Sequence, residues 1–221
     1  ILSIEGNIGS GKSTFVQNLK NNFTKEYPEP IRICFLQEPV DEWNQIRDSN
    51  NKTILECYYD DQQTYAFTFQ MMAYITRLNR IKEALAGDYD VIIMERSLQT
   101  DRLVFAQMLK DEAKISEIEF AVYTKWFDSF QKDIPLCNII YLRTTPEVAL
   151  ERVQRRAREG EDIPLDYLTK CHSYHECWLG TDTNTVLILD ATEDMRKNDG
   201  VLATQWQNKV KQCLIRLRSQ K

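Results

Sequence analysis

The sequence predicts a single α/β domain built on a doubly wound parallel sheet. Five short apolar runs, rich in β-branched residues, alternate along the chain with longer segments that have helical periodicity. Continuous apolar runs of this kind are typical of parallel strands that helices cover on both faces. The 221 residues contain no internal repeat and no low-complexity linker, so one domain over residues 1–221 is expected.

The positions of the elements follow from these two patterns. Strands are predicted at residues 1–5, 31–37, 91–95, 138–142 and 185–190. Helices are predicted at residues 12–23, 62–86, 98–109, 116–131, 146–158, 164–179 and 201–218. Because ligands of such sheets bind at the carboxyl ends of the strands, the residues that follow each strand are the candidates for a site.

The composition limits the classes of partner and location. The net charge is −5 at pH 7, without the basic excess of a nucleic-acid binder, so no nucleic-acid partner is expected. No apolar stretch approaches the roughly 20 residues that span a bilayer, and no membrane association is expected. Six scattered cysteines indicate reduced thiols and an intracellular, most simply cytoplasmic, protein. Because the sequence begins at Ile1, a removed leading segment and a mitochondrial location stay open.

A glycine-rich segment between the first strand and the first helix carries the clearest chemical signal. Residues 6–13 match the phosphate-binding pattern G-x-x-x-x-G-K-S/T at every fixed position. Glycines allow backbone N–H groups to approach an anion closely, and the positive end of the helix dipole favours that anion. Lys12 can reach the terminal phosphates, and Ser13 can hold Mg²⁺. The predicted triphosphate ligands are Gly6, Asn7, Ile8, Gly9, Ser10, Gly11, Lys12, Ser13 and Thr14.

Charged residues follow three of the other predicted strands. Glu38 comes after the second strand, and Glu95 with Arg96 ends the third, which places two carboxylates at the phosphate-loop edge of the sheet.

The helix after the fourth strand becomes basic and leads into a polar stretch, so an arginine-rich lid is predicted over about residues 152–163. Guanidinium groups suit a transferring phosphoryl group because they are always charged and fork-shaped. The arginines of this segment are Arg152, Arg155, Arg156 and Arg158.

The long predicted helix at residues 62–86 has an aromatic ring next to an amide. Phe69 could stack on a nucleobase, and Gln70 could both donate to and accept from the edge of that base. On these two residues alone, an ordinary core helix is the more frequent structure. A base-binding role therefore stays open at this point.

The ordered set of these segments resembles the deoxynucleoside kinases of the deoxycytidine, deoxyguanosine and insect multisubstrate type. The resemblance spans nearly the whole chain. Its segments are GNIGSGKST at 6–14, EPV with a tryptophan at 38–43, FTFQ at 67–70, ERS with DR at 95–102, TPE at 145–147, the arginines of 152–158, IPL with YL at 163–168, and H-x-x-HE-x-WL at 172–179. It implies the P-loop kinase fold with an arginine-rich lid, a nucleoside triphosphate such as ATP as donor, Mg²⁺, a deoxynucleoside as acceptor, and a homodimer.

The resemblance also implies catalytic roles. Glu38 would take the proton from the sugar 5′-hydroxyl, and Arg96 would lie beside that hydroxyl and the phosphates. Ser13 and Glu95 would organise Mg²⁺. The groups implied to stabilise the moving phosphoryl group are Lys12, Arg152, Arg156 and Arg158.

The resemblance places the acceptor nucleoside in a largely apolar pocket. Gln70 would read the base edge, and Tyr59 and Glu161 would bind the sugar 3′-hydroxyl. Asp194 and Met195 would lie against the adenine of the donor. The implied walls of the nucleoside pocket are Trp43, Leu55, Tyr58, Phe69 and Phe105, of which Tyr58 stands where relatives usually carry an apolar residue.

A charged pair bears on the choice of base. Arg77 and Asp101 resemble the pair of the deoxycytidine and deoxyguanosine kinases, whereas members that favour thymidine carry smaller or apolar residues there. Such a pair leaves less room for the thymine methyl group and offers polar groups to an amino or carbonyl substituent. We therefore expect deoxycytidine or a purine deoxynucleoside to be preferred over thymidine.

Two other functions stay open on the sequence. A nucleoside monophosphate kinase of the thymidylate kinase type shares the phosphate loop, the sheet and an arginine lid, but it needs arginines for the phosphate of its acceptor. A non-catalytic nucleotide-binding subunit shares the fold without the chemistry. The segment 38–43 favours an uncharged acceptor, and intact Lys12, Glu38, Glu95 and Arg156 favour catalysis.

Overall fold

The structure, a computed structural model, describes residues 1–23, 31–158, 160–197 and 200–219. Its strands are β1 (Leu2–Glu5), β2 (Ile33–Leu36), β3 (Val91–Glu95), β4 (Asn138–Arg143) and β5 (Thr185–Asp190). They form one sheet in the order β2-β3-β1-β4-β5, and every neighbouring pair is parallel. The predicted five-stranded parallel sheet is confirmed, although β2 is shorter than predicted at both ends.

Helices connect the strands and flank the sheet. They are α1 (Lys12–Asn22), α2 (Val40–Trp43), α3 (Ile54–Asp60), α4 (Gln62–Ala86), α5 (Leu98–Thr100), a π-helical segment (Asp101–Ala106), α6 (Gln107–Asp111), α7 (Glu117–Gln131), α8 (Pro146–Arg156), α9 (Leu165–Leu179) and α10 (Val201–Ser219). All the predicted helices are present. The one predicted at 98–109 is α5, the π-helical segment and α6 in direct succession, and the one predicted at 146–158 ends at Arg156.

Two helices, α2 and α3, were not predicted. With four residues, α2 is too short to show a hydrophobic period. Helix α3 begins at a capping box, in which the Thr53 hydroxyl accepts from the Glu56 N–H and the Glu56 carboxylate accepts from the Thr53 N–H. These two helices form one wall of the site described below.

The central strand β1 alternates between the two faces of the sheet. Leu2 and Ile4 pack in the core cluster that includes Trp206 of α10. Ser3 and Glu5 are buried too, but they point to the opposite face, toward α5. Polar side chains on this second face are unusual for a strand covered on both sides, and they lie directly below the phosphate-binding loop.

The topology brings the predicted site segments to one edge of the sheet. Because β3 lies next to β1 and β2 next to β3, the residues after β2 and at the end of β3 adjoin the loop that follows β1. Glu159, within the predicted lid at 152–163, lies outside the described residues, so the lid itself stays a prediction. No helix in the described ranges combines the length and apolar character needed to cross a membrane.

Candidate active site

The phosphate-binding loop leaves β1 in a conformation that glycine permits. Gly6 and Gly9 have φ angles of 147° and 77°, and a Cβ atom on Gly6 would lie 2.6 Å from the carbonyl oxygen of Leu142. The Asn7 side chain fastens the loop from behind, since its Nδ2 donates to the carbonyl oxygen of Leu168 at 2.9 Å. The loop leads into the first turn of α1, whose free N–H groups form an anion site.

Lys12 is buried at the start of α1. Its Nζ donates to the carbonyl oxygen of Asn7 at 2.7 Å. Burial and the nearby Arg96 guanidinium lower the pKa of Lys12 to about 7, although three neighbouring carboxylates act in the opposite direction. The negative charge of a triphosphate bound in the loop would favour the protonated, positively charged form of Lys12.

Ser13 and Glu95 bring two oxygen donors together beside the loop. The Ser13 hydroxyl donates to Oε1 of Glu95 at 2.7 Å. Two oxygen donors at this place fit Mg²⁺, which usually takes one or two protein oxygens and completes its shell with water and substrate phosphates. Within the described residues, no group of three or more His, Cys, Asp or Glu side chains could hold a metal ion.

Glu38 lies just after β2, between two arginines. Its Oε1 accepts hydrogen bonds from Nη1 of Arg96 at 2.7 Å and from Nη2 of Arg77 at 3.1 Å. Burial alone would raise the pKa of Glu38, but Arg96, Arg77 and Lys12 together hold it well below its ordinary value. Glu38 is therefore a carboxylate anion at neutral pH.

Arg96 carries both backbone strain and unpaired donors. Its φ of 61° is uncommon for a residue other than glycine. Its guanidinium lies over the ring of Phe105, with 5.1 Å between Cζ and the ring centroid. Nε and Nη2 are buried and have no hydrogen-bond partner in the described part of the chain. Because unpaired buried donors are costly, these two atoms are suited to the oxygens of a bound substrate.

Arg77 and Asp101 form a buried ion pair on the wall of the site. Nε and Nη2 of Arg77 donate to the Asp101 carboxylate at 2.9 and 3.3 Å, and Nη1 donates to the carbonyl oxygen of Glu95 at 2.9 Å. The neighbouring Gln70 is also buried, and its Oε1 has no partner among the described residues. This wall therefore presents an amide oxygen and a carboxylate in a fixed arrangement.

Aromatic side chains of α2, α3 and α4 form the apolar part of the site, with Leu55 beside them. The Phe69 ring stacks on Tyr58 at 4.6 Å between centroids and meets Trp43 edge-on at 5.4 Å. The Tyr58 hydroxyl lies 2.8 Å from the Tyr167 hydroxyl of α9. Tyr59 also packs edge-on against Tyr167, at 6.5 Å between centroids.

The arginines of α8 are engaged with two other segments. Nη1 of Arg152 donates to the carbonyl oxygen of Ser10 at 3.4 Å, which links α8 to the phosphate-binding loop. Arg156 donates to the carboxylate of Glu161, and Arg158 lies 3.8 Å from the same carboxylate. Glu161, expected to bind a sugar hydroxyl, therefore contacts two of the arginines expected to bind phosphate.

The segment after β5 approaches the same arginine helix. Nη2 of Arg155 donates to Oδ2 of Asp194 at 3.1 Å, and Arg196 donates to both Asp194 oxygens. The hydrogen bonds from Arg196, aided by the charge of Arg155, lower the pKa of Asp194. Met195 is buried in the core cluster that includes Trp206.

One cavity of about 950 Å³ joins these parts. Every predicted site residue lines it except Gly6 and Asn7. The cavity is also lined by residues that were not predicted as ligands, namely Tyr167, Arg155, Arg196 and Arg80. Tyr167 lies in a segment of helical periodicity, where an aromatic residue indicates core packing. The volume is within the range of small-molecule sites.

Comparison with known proteins agrees with this geometry. The chain matches the family model of deoxynucleoside kinases over residues 2–212. It is 39% identical to deoxycytidine kinase 1 of Xenopus laevis, over 89% of this chain and 84% of that protein. It is 36% identical to the deoxycytidine kinase of Homo sapiens, over 88% and 85%, and 33% identical to the mitochondrial deoxyguanosine kinase of Xenopus laevis, over 95% and 88%. The chain belongs to the deoxynucleoside kinase family.

Proposed function

We propose that the chain transfers the terminal phosphoryl group of ATP, or of another nucleoside triphosphate, to the 5′-hydroxyl of deoxycytidine or a purine deoxynucleoside. The product is the 5′-monophosphate, as expected of nucleotide salvage. The observation that carries the proposal is the setting of Glu38. This anion shares the cavity with the phosphate-binding loop, and it lies close enough to Lys12 for each charge to affect the pKa of the other.

Glu38 is proposed as the group that accepts the proton of the 5′-hydroxyl. A positioned general base typically contributes about 10²–10⁴ in rate. Arg96 holds this carboxylate in place through Nη1, while its two unpaired nitrogens are available to the 5′-oxygen and the transferring phosphoryl group. The pair would therefore align the nucleophile, which is the main requirement of phosphoryl transfer.

Ser13 and Glu95 are proposed to hold Mg²⁺, and their oxygen donors fit that cation. When bound, Mg²⁺ neutralises charge that develops on the phosphates. Lys12 would contact the terminal phosphates from the other side of the loop. Arg152, Arg156 and Arg158 would complete the charge stabilisation from the proposed lid.

The preference for deoxycytidine or a purine is proposed from the wall formed by Arg77, Asp101 and Gln70. Arg77 directs its donors at Asp101, Glu38 and the Glu95 carbonyl oxygen, which fixes the Asp101 carboxylate in place. A fixed carboxylate beside the Gln70 amide favours a base that carries an exocyclic amino group. The thymine methyl group would instead lie against a charged pair with which it cannot form a hydrogen bond.

A homodimer and a cytoplasmic location are further parts of the proposal. Apolar side chains of α4 and α7 are exposed on the monomer, which supports an interface between two copies. They are Ile75 at 42%, Ile118 at 79%, Val122 at 42% and Trp126 at 47% exposure. All six cysteines are free thiols, as a reducing compartment favours.

The proposal is tested by incubating the purified chain with ATP, Mg²⁺ and each deoxynucleoside or deoxynucleoside monophosphate in turn, and separating the products chromatographically. We expect 5′-monophosphate from deoxycytidine or a purine deoxynucleoside, with kcat/KM at least about tenfold above that for thymidine. A Lys12→Ala variant is the control for contaminating kinases. The highest kcat/KM on thymidine would refute the base preference, and turnover of the monophosphates alone would favour the monophosphate kinase alternative.

A further inference from the structure

A buried carboxylate with no role in the mechanism above lies at the end of β1. Glu5 is 0% exposed, and it is the last residue before the phosphate-binding loop. In the sheet it pairs with Tyr141 of β4, while the preceding Ile4 pairs with Glu95 of β3. A fully buried carboxylate is costly unless hydrogen bonds satisfy it, so its partners indicate its purpose.

The partners of Glu5 are three donors. Its Oε1 accepts from the Ser97 backbone N–H and from the Ser3 hydroxyl, both at 2.8 Å. Its Oε2 accepts from the Thr100 hydroxyl. Across the described residues, no lysine or arginine forms an ion pair with Glu5. The three hydrogen bonds therefore hold both carboxylate oxygens in place.

Hydrogen bonds to β1 hold two consecutive N–H groups of the strained turn at Arg96. The Arg96 N–H donates to the Ile4 carbonyl oxygen at 3.1 Å, and the next N–H, that of Ser97, donates to Glu5. Arg96 itself has the left-handed φ of 61°. Such a conformation persists only where the surroundings over-determine it. The turn in turn sets the direction of the guanidinium, whose Nη1 donates to Glu38 at 2.7 Å.

We propose that Glu5 is a positioning residue for phosphoryl transfer. Its buried carboxylate fixes the turn that presents Arg96 to Glu38. The catalytic part of this inference rests on the proposed function, whereas the hydrogen bonds that hold the turn do not.

Two variants test the position of the carboxylate. Glu5→Asp withdraws the carboxylate from the Ser97 N–H by one methylene, so kcat should fall by about 10–100-fold through misplacement of Arg96. Glu5→Gln keeps the length of the side chain and an acceptor oxygen for the Ser97 N–H, so kcat should fall less than in Glu5→Asp. The nucleoside KM should change less than about threefold in both.

The measurements are steady-state kcat and KM together with thermal unfolding. Ser3→Ala is the matched control, because it removes one donor to Oε1 and leaves the Ser97 contact, so kcat should stay unchanged. If a Glu5 variant does not fold, Thr100→Val replaces it, with a kcat loss of about 3–10-fold expected from the freed Oε2.

A lowered melting temperature with kcat within about twofold in the folded variants would overturn the positioning role. Every variant is compared with the wild-type chain. A wild-type chain that phosphorylated no deoxynucleoside would count against the proposed function, whereas an active wild-type chain with unchanged variants would count against the positioning role alone.

Discussion

Replacing Glu38 by glutamine tests the centre of the proposed mechanism. The change removes one negative charge but keeps the size of the side chain and an acceptor oxygen for Arg96 and Arg77. An amide cannot take a proton from the 5′-hydroxyl, so kcat should fall by at least about 10²-fold, the lower end of what a positioned general base contributes. The nucleoside KM should change less than about threefold, because the aromatic and amide contacts to the base remain.

The contacts around the two arginines set the cost in stability. Arg77 retains Asp101 and the Glu95 carbonyl oxygen, so its charge stays paired. Arg96 has no other hydrogen-bonded side chain among the described residues, and it is 5% exposed. Removal of a partner from a fully buried pair costs about 3–5 kcal/mol. The glutamine oxygen still accepts, and the Glu38 side chain is 17% exposed. We therefore expect a loss of only about 1–2 kcal/mol.

The assay measures kcat and KM at saturating ATP and Mg²⁺, together with thermal unfolding of each variant. Asp41→Asn is the matched control, since Asp41 is a nearby carboxylate that is 72% exposed and pairs with Arg80 rather than with Arg96. Glu38→Ala should also lose at least about a hundredfold in kcat. A folded Glu38→Gln protein with kcat within about fivefold of wild type would refute Glu38 as the proton acceptor.

Three further outcomes are expected. The Lys12 pKa of about 7 leaves this residue largely neutral at higher pH, so ATP binding at about pH 8 should be accompanied by uptake of at most about one proton, and the affinity for ATP should weaken as pH rises. Calorimetry in two buffers of different ionisation enthalpy measures this proton uptake. An absence of proton uptake would contradict the charge assigned to Lys12. Asp101→Asn should reduce the ratio of kcat/KM for the preferred deoxynucleoside to kcat/KM for thymidine by at least about fivefold, as measured with both nucleosides in competition. An unchanged ratio would remove Asp101 from base selection. Tyr58→Phe and Tyr167→Phe should each lower the free energy of unfolding by about 1 kcal/mol, and the double variant should lose less than their sum, while additive losses would argue against the hydroxyl pair.

The sheet and the long helices could be predicted because their sequence patterns are local. The apolar run that ends in Glu95, at Val91–Glu95, and the helical periodicity over the 25 residues of Gln62–Ala86 both match the structure from end to end. The meeting of the phosphate-binding loop with Glu38 and Glu95 follows from the same reasoning, since the topology of a parallel sheet carries the ends of β1, β2 and β3 to one edge. Helix α2 and the π-helical segment Asp101–Ala106 leave no such pattern, because each lasts fewer than two turns.

The remaining features of the site depend on contacts between distant residues. The Tyr58 and Tyr167 hydroxyls meet across 109 positions of the chain, and nothing near either residue indicates the other. Glu5 ends a strand that resembles an ordinary apolar run, so its role is visible only where β3 places the Ser97 N–H against it. Long-range polar pairs of this kind follow from packing rather than from periodicity, which is why the sequence alone could not predict them.

The low pKa of Glu38 is compatible with its proposed role as a base. Arg96 and Arg77 weaken its intrinsic basicity, which would hinder a mechanism that removes the proton before phosphorus is attacked. Phosphoryl transfer proceeds through a loose transition state, in which the attacking hydroxyl becomes acidic only as its bond to phosphorus forms. In the proposed mechanism the carboxylate would first orient the hydroxyl and would accept the proton late, when even a weak base suffices. The same arginines keep Glu38 ionised throughout the neutral range, so its protonation should not limit kcat there.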